Sequence, residues 1–303
     1  MFRTVFNFEI AYRLKRPATY IYFSIFFVIT ALLVANGGSP ATEKVYHNSP
    51  VIISEFFGLL GIFSILIGSA VMGVPLYRDL EHDTKEYLLA SPMTRSAYFW
   101  GRFWGSFVIL VFILFGSVLG YLLGTLLGPL TGWEEAERFG PNLWYYYLWP
   151  FVTILLPSVF LSSCIFFGLV AITRNNKVLY SASIILFIVY LLGNFLAQDL
   201  DNKELVDILD PFAMSTLANT TKYYTPVEQN TLLIPFDGRL MINRLLWPGI
   251  GFLILVFSYL RFNVTRFISR KSGKAKDETD SPMAPRTGKI PAVQLNFSAR
   301  ANV

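Results

Sequence analysis

Six blocks of the sequence, at about 17–35, 51–76, 103–127, 146–172, 178–197 and 245–262, are apolar over about the length a helix needs to cross the hydrocarbon core of a bilayer. A soluble helix carries an apolar stripe and keeps its other side polar, so blocks apolar all round exclude an ordinary water-soluble domain. Composition agrees: 54% of the 303 residues are hydrophobic and 15% charged, where soluble domains carry about 25% charged residues. The fold expected is an all-α membrane protein with six transmembrane helices. The single cysteine, Cys164, falls inside the fourth block and has no partner for an intrachain disulfide.

Cations decide the expected orientation. Segments 1–16, 77–102, 173–177 and 261–303 carry 4, 4, 2 and 9 Lys+Arg, against 1, 1 and 4 in 36–50, 128–145 and 198–244. The positive-inside rule then places both termini in the cytoplasm, as an even number of spans requires. Aromatic residues suited to the headgroup level fall at the block edges: Trp100 and Trp104, Trp144 to Trp149, and Trp247.

Before the first block, Phe2, Val5, Phe6, Ile10 and Leu14 recur at helical spacing opposite Arg3, Asn7 and Arg13, which predicts a cytoplasmic interface helix over residues 1–16, ended by Pro17. The membrane domain follows over 17–265, with an outer segment at 198–244. Residues 266–303 are basic, contain Pro and Gly and lack periodicity, so they read as a disordered cytoplasmic tail. Within the third block, Gly116, Gly120, Gly124 and Gly128 repeat every four residues and predict a ridge for close helix packing, against a neighbouring span, a second copy or a substrate path. Bulk should be tolerated there less than at the loop glycine Gly37. Glu55 is the one acid within a block and is a candidate intramembrane polar site.

Familiar catalytic patterns are missing. There is no His-Glu-x-x-His, and His47 and His82 are too few for a histidine-rich metal site, so no metal and no catalytic residue is assigned. No phosphate-binding Gly-x-x-x-x-Gly-Lys-Ser/Thr loop occurs, and nucleotide chemistry would have to come from a partner.

The segment from Tyr77 to Arg95 is the most informative. Residues 78–90 have helical composition, Pro92 stops simple continuation, and Thr94 can cap the next helix. The pattern Glu81-x-x-Thr84-x-Glu86-x-Leu88-Leu89-x-Ser91-Pro92-x-Thr94-Arg95, followed by Gly101-Arg102, resembles the coupling-helix signature of ABC-2 type transporter permeases. That resemblance covers residues 1 to about 265. It implies a coupling helix at 78–92 gripped by an ATP-binding cassette subunit, with Asp79, Glu81, Asp83, Thr84, Glu86, Leu88, Ser91, Pro92, Thr94 and Arg95 as coupling residues. The partners it implies are ATPase subunits carrying ATP and magnesium, a second permease copy or homologue, and a bacterial inner membrane, with no nucleic acid.

A narrower likeness lies in Leu209-Asp210-Pro211-Phe212, Thr225-Pro226-Val227-Glu228-Gln229-Asn230 and Asn243-Arg244-Leu245-Leu246-Trp247. These are similar to bacterial permeases whose N-terminal module precedes an M1-type aminopeptidase domain, of which nothing is found in this sequence. The function implied is the permease subunit of an exporter without an ATPase motif of its own. Two other readings stand beside it: a secondary transporter using Glu55 as its coupling acid, and a membrane assembly protein that transports nothing.

Overall fold

A computed structural model describes residues 1–81, 94–197 and 202–263, and among these there are helices and loops but no strand. The expected tail and most of the expected coupling helix lie outside the described residues. Six helices are long and apolar enough to cross a membrane: Pro17–Ala35, Pro50–Asp79, Arg95–Thr131, Trp144–Thr173, Lys177–Ala197 and Gly238–Arg261.

In chain order, α1 (Phe2–Leu14) precedes α2 (Pro17–Ala35) and α3 (Pro50–Met72), and α3 is continued past Gly73 by α4 (Val74–Glu81). Then comes α5 (Arg95–Thr131). The fourth long helix is composite: α6 (Trp144–Pro150), a π-helical turn over Phe151–Leu155, and α7 (Leu156–Thr173). Pro157 has no N–H to give Thr153, so the turn before it departs from regular α geometry. α8 (Asn176–Ala197) is followed by three short helices, α9 (Lys203–Leu209), α10 (Met214–Thr221) and α11 (Pro226–Thr231), and by α12 (Gly238–Arg261).

Helix starts follow local chemistry. Ser49 and Thr94 accept the backbone N–H of Ile52 and Ala97, filling the orphan donors of α3 and α5. Thr225 and Glu228 form a reciprocal capping box on α11. Gly132, at φ 71°, ends α5 in the left-handed region that a side chain would strain.

The organising element is α5. A Cβ built at Gly116 would lie 2.7 Å from the Phe23 carbonyl oxygen, one at Gly124 2.7 Å from that of Ala31, and one at Gly128 3.0 Å from that of Ala35; Gly120 meets Phe27 in the same way. The glycine ridge therefore packs against α2 of the same chain. It extends toward the start of α5, where a Cβ at Gly101 or Gly105 would lie 2.7 Å from the Cβ of Val5 or Glu9 of α1. Small residues let both helices approach to backbone contact, where dispersion is largest.

α5 begins at Arg95 behind Thr94, the cap expected from the sequence, so the apolar block from 103 is only part of a longer helix. Two expectations need correction. α12 begins at Gly238, before the apolar block at 245; hydropathy hid these turns because Arg239, Asn243 and Arg244 are polar, yet their hydrogen bonds are made within the chain. In α1, the buried residues are Val5, Glu9 and Arg13, while Phe2 and Phe8 are exposed. The apolar stripe is only the flank of the buried face, whose centre is charged.

Exposed large apolar side chains crowd α2, α8 and α12. In α8 only 11% of the most apolar window is buried. Such surface suits hydrocarbon as its solvent and would be insoluble in water.

Candidate functional site

At the α1 end of the bundle, five charged side chains meet away from solvent. Glu9 is fully buried, and Arg13, Asp79 and Arg102 nearly so. Arg13, one turn on from Glu9 in α1, donates from Nε to Glu9 Oε1 at 2.7 Å. Arg78 of α4 donates to Glu9 Oε2 at 3.0 Å, and Arg102 of α5 donates to the same oxygen. The second guanidinium nitrogen of Arg102 donates to Asp79 Oδ2 at 2.7 Å, and the Tyr98 hydroxyl donates to that oxygen at 2.8 Å.

One further bond follows from proline chemistry. Pro75 has no N–H to give the Val71 carbonyl, and Arg13 Nη2 donates to that carbonyl at 2.8 Å. The break between α3 and α4 thus supplies the acceptor that fixes α1 against them.

Burial alone would push the Glu9 carboxyl up, but the guanidiniums of Arg13, Arg102 and Arg78 outweigh it and hold the group below its ordinary value. The Arg78 guanidinium carbon also sits over the Tyr12 ring, 4.1 Å from its centroid. Three guanidiniums face two carboxylates, and Arg78 Nη1 and Arg102 Nε have no hydrogen-bond partner among the described residues. These two buried nitrogens keep donor capacity that the described residues do not use.

Both flanks of segment 82–93 enter this network. Asp79 precedes the segment; Tyr98 and Arg102, which bind Asp79, follow it. Thr94 caps α5, and Arg95 donates to the Tyr259 carbonyl with its guanidinium 4.5 Å from that ring, while Tyr98 stacks on Phe262 at 5.9 Å. The segment's ends are held to α1, α5 and α12 together.

Of the residues assigned to coupling, Asp79 is buried in the cluster, and Thr94 and Arg95 anchor the start of α5. Glu81 ends α4; its side chain, and Asp83, Thr84, Glu86, Leu88, Ser91 and Pro92 altogether, lie outside the described residues. Sequence reasoning missed Glu9 and Arg78 and put Arg13 on a polar face. The available signal was the i, i+4 spacing of Glu9 and Arg13, which pairs opposite charges on one face of the helix.

A second region lies at the opposite end of the spans. Asn243 Nδ2 donates to the carbonyls of Asp207, Ile208 and Asp210, and Arg244, also buried, donates to the Ile154 carbonyl at 3.2 Å, Ser158 Oγ at 2.9 Å and the Pro211 carbonyl at 3.1 Å. Asp210 accepts the N–H groups of Phe212 and Ser215. The Asp210-Pro211-Phe212 and Asn243-Arg244 pairs of the narrower likeness are thus one junction, pinning the loop after α9 to α12 and the π-helical turn. Beside it is a largely apolar cavity of about 590 Å³, bounded by α7, α8 and α9.

Glu55 is half-buried and lines a separate cavity of about 510 Å³ between α2 and α3. The chain matches no family model and no curated protein.

Proposed function

We propose that the chain is the permease subunit of an ABC-2 type exporter, seated in a bacterial inner membrane with both termini in the cytoplasm. ATP is hydrolysed on separate ATPase subunits that hold it with magnesium, and a second permease copy or homologue completes the assembly. Segment 82–93, with the end of α4, is the coupling element.

The observation that carries this reading is the attachment of both flanks of that segment to one buried ion cluster. A force applied between Glu81 and Thr94 would act on α1, α4 and the start of α5 as one body, since displacing any of them separates charges already removed from water. Through Arg95 and Tyr98 it also reaches the end of α12. Closure of an ATPase dimer shifts the spans only if it interacts differently with their two arrangements, and a rigid attachment provides that difference.

The test is affinity capture of the tagged chain from native membranes. A P-loop ATPase recovered in stoichiometric amount, and lost from the Glu86→Lys variant, supports the reading. Recovery of the chain with no ATPase from membranes that retain other ABC assemblies contradicts it.

A further inference from the structure

The α2–α3 crevice holds an acid that the coupling reading does not use. Along α3 the cavity runs from Ile52 to Ile67, about 22 Å at the helical rise, and its opposite wall is α2 from Phe26 to Val34. Tyr121 of α5 closes the back, and Ser39, Pro40 and Met214 close the end away from α1. Its volume of about 510 Å³ falls in the range that encloses small-molecule ligands.

Chemically the walls are nearly uniform. Phe26, Phe56, Phe63 and Tyr121 supply rings, with Phe56 edge-on to Tyr121 at 5.3 Å, and aliphatic side chains supply most of the rest. Glu55 is the one charged group among the lining residues. It forms no hydrogen bond and no ion pair among the described residues, although Ser54 and Ser49 on the same helix end are both engaged. Five residues in from Pro50, it sits about 7.5 Å along the helix from the end opposite α1.

A carboxylate facing an apolar, ring-lined space is a poor neighbour for lipid phosphate, which it repels, and for a neutral chain, which leaves it unpaired. A cation with an apolar body satisfies both parts: its charge meets Glu55 and the ring faces, and its bulk fills the crevice. The geometry points to a binding site for lipophilic monovalent cations, with Glu55 as the charge-recognising residue and Phe56 and Tyr121 as the adjoining ring wall. This site stands whether or not the chain couples to an ATPase.

Two ions of nearly equal shape and opposite charge test it. The purified full chain in nanodiscs of zwitterionic lipid is titrated with radiolabelled tetraphenylphosphonium and, separately, tetraphenylborate, with empty nanodiscs subtracted. Saturable binding of the phosphonium that exceeds the borate by about tenfold or more, and that falls by about tenfold in Glu55→Gln, is the expected result. Leu59→Trp, which fills the cavity and leaves the carboxylate at 55 in place, should block phosphonium binding as well. Melting of each variant in detergent reports whether it is folded. Should Glu55→Gln fail to fold, the wild-type preference between the two ions and the Leu59→Trp block decide the matter. Equal binding of both ions, full phosphonium binding in folded Glu55→Gln, or no saturable binding of either ion, which would make the crevice a bed for lipid chains, overturns the site.

Discussion

Glu9 shows how much can rest on one side chain. Fully buried, it accepts from Arg13, Arg78 and Arg102, so Glu9→Gln leaves three guanidiniums around a neutral amide. Removing one member of a buried ion pair costs about 3–5 kcal/mol, and Glu9→Gln should lower the melting temperature and folded yield in detergent far more than Glu43→Gln at an exposed loop position. The pH dependence has a definite sign. The folded carboxyl titrates below its unfolded value, so its contribution is complete above about pH 4.5 and disappears as pH falls through the folded value. Wild type and Glu9→Gln should therefore converge in stability only in strong acid. His47 behaves similarly in a milder range. Burial, and then the nearby Arg138, push its imidazole below the ordinary value, while Glu134, 3.8 Å away, opposes them. A base lowered on folding gives stability that is present above about pH 6.5 and declines as the unfolded chain takes up its proton first. Melting scans between pH 7.5 and 5 should show that decline in wild type and a weaker one in His47→Asn. The charge at 9, 13, 78, 79 and 102 was visible in the sequence, but its assembly was not. Amphipathic reading sorts side chains into apolar and solvated faces, and it has no place for a charged face whose partners arrive from almost a hundred residues away.

Helices were more legible than their ends. Apolar blocks located all six long helices, because hydropathy sums over twenty residues and survives single exceptions. The ends failed where those exceptions cluster, as at Arg239, Asn243 and Arg244, whose internal bonds a composition average cannot register. The glycine repeat was legible as a packing ridge, and the structure supplies its partner, α2. Gly120→Leu or Gly124→Leu should therefore separate α2 from α5 and greatly reduce folded yield, whereas Gly193→Leu on α8, with open space at the Cβ position, should be tolerated. Fluorescence-detected gel filtration of the three variants checks this, and equal yields would remove the ridge. Gly37 is no tolerant comparison after all: at φ 66° with Glu134 against it, a side chain there is strained and crowded.

At the scale of the whole molecule, the even number of long helices puts α1 and the end of α12 at one end of the bundle, where Arg95 and Tyr98 meet Tyr259 and Phe262. A cysteine placed after residue 270 should label only once the cell interior is opened, and labelling from outside intact cells would invert the topology and remove segment 82–93 from the ATPase's reach. The central claim is that this segment carries the stroke, and it can be separated from the cluster that anchors it. With residues 82–90 replaced by a Gly/Ser linker and Asp79 through Glu81 retained, the ion cluster and spans should fold as before. ATP turnover of the permease reconstituted in nanodiscs with its cognate ATPase, measured beside the melting temperature, is the direct measurement. The account predicts an unchanged melting temperature and permease-dependent turnover reduced to that of the ATPase alone; an unchanged melting temperature with full permease-dependent turnover would contradict it.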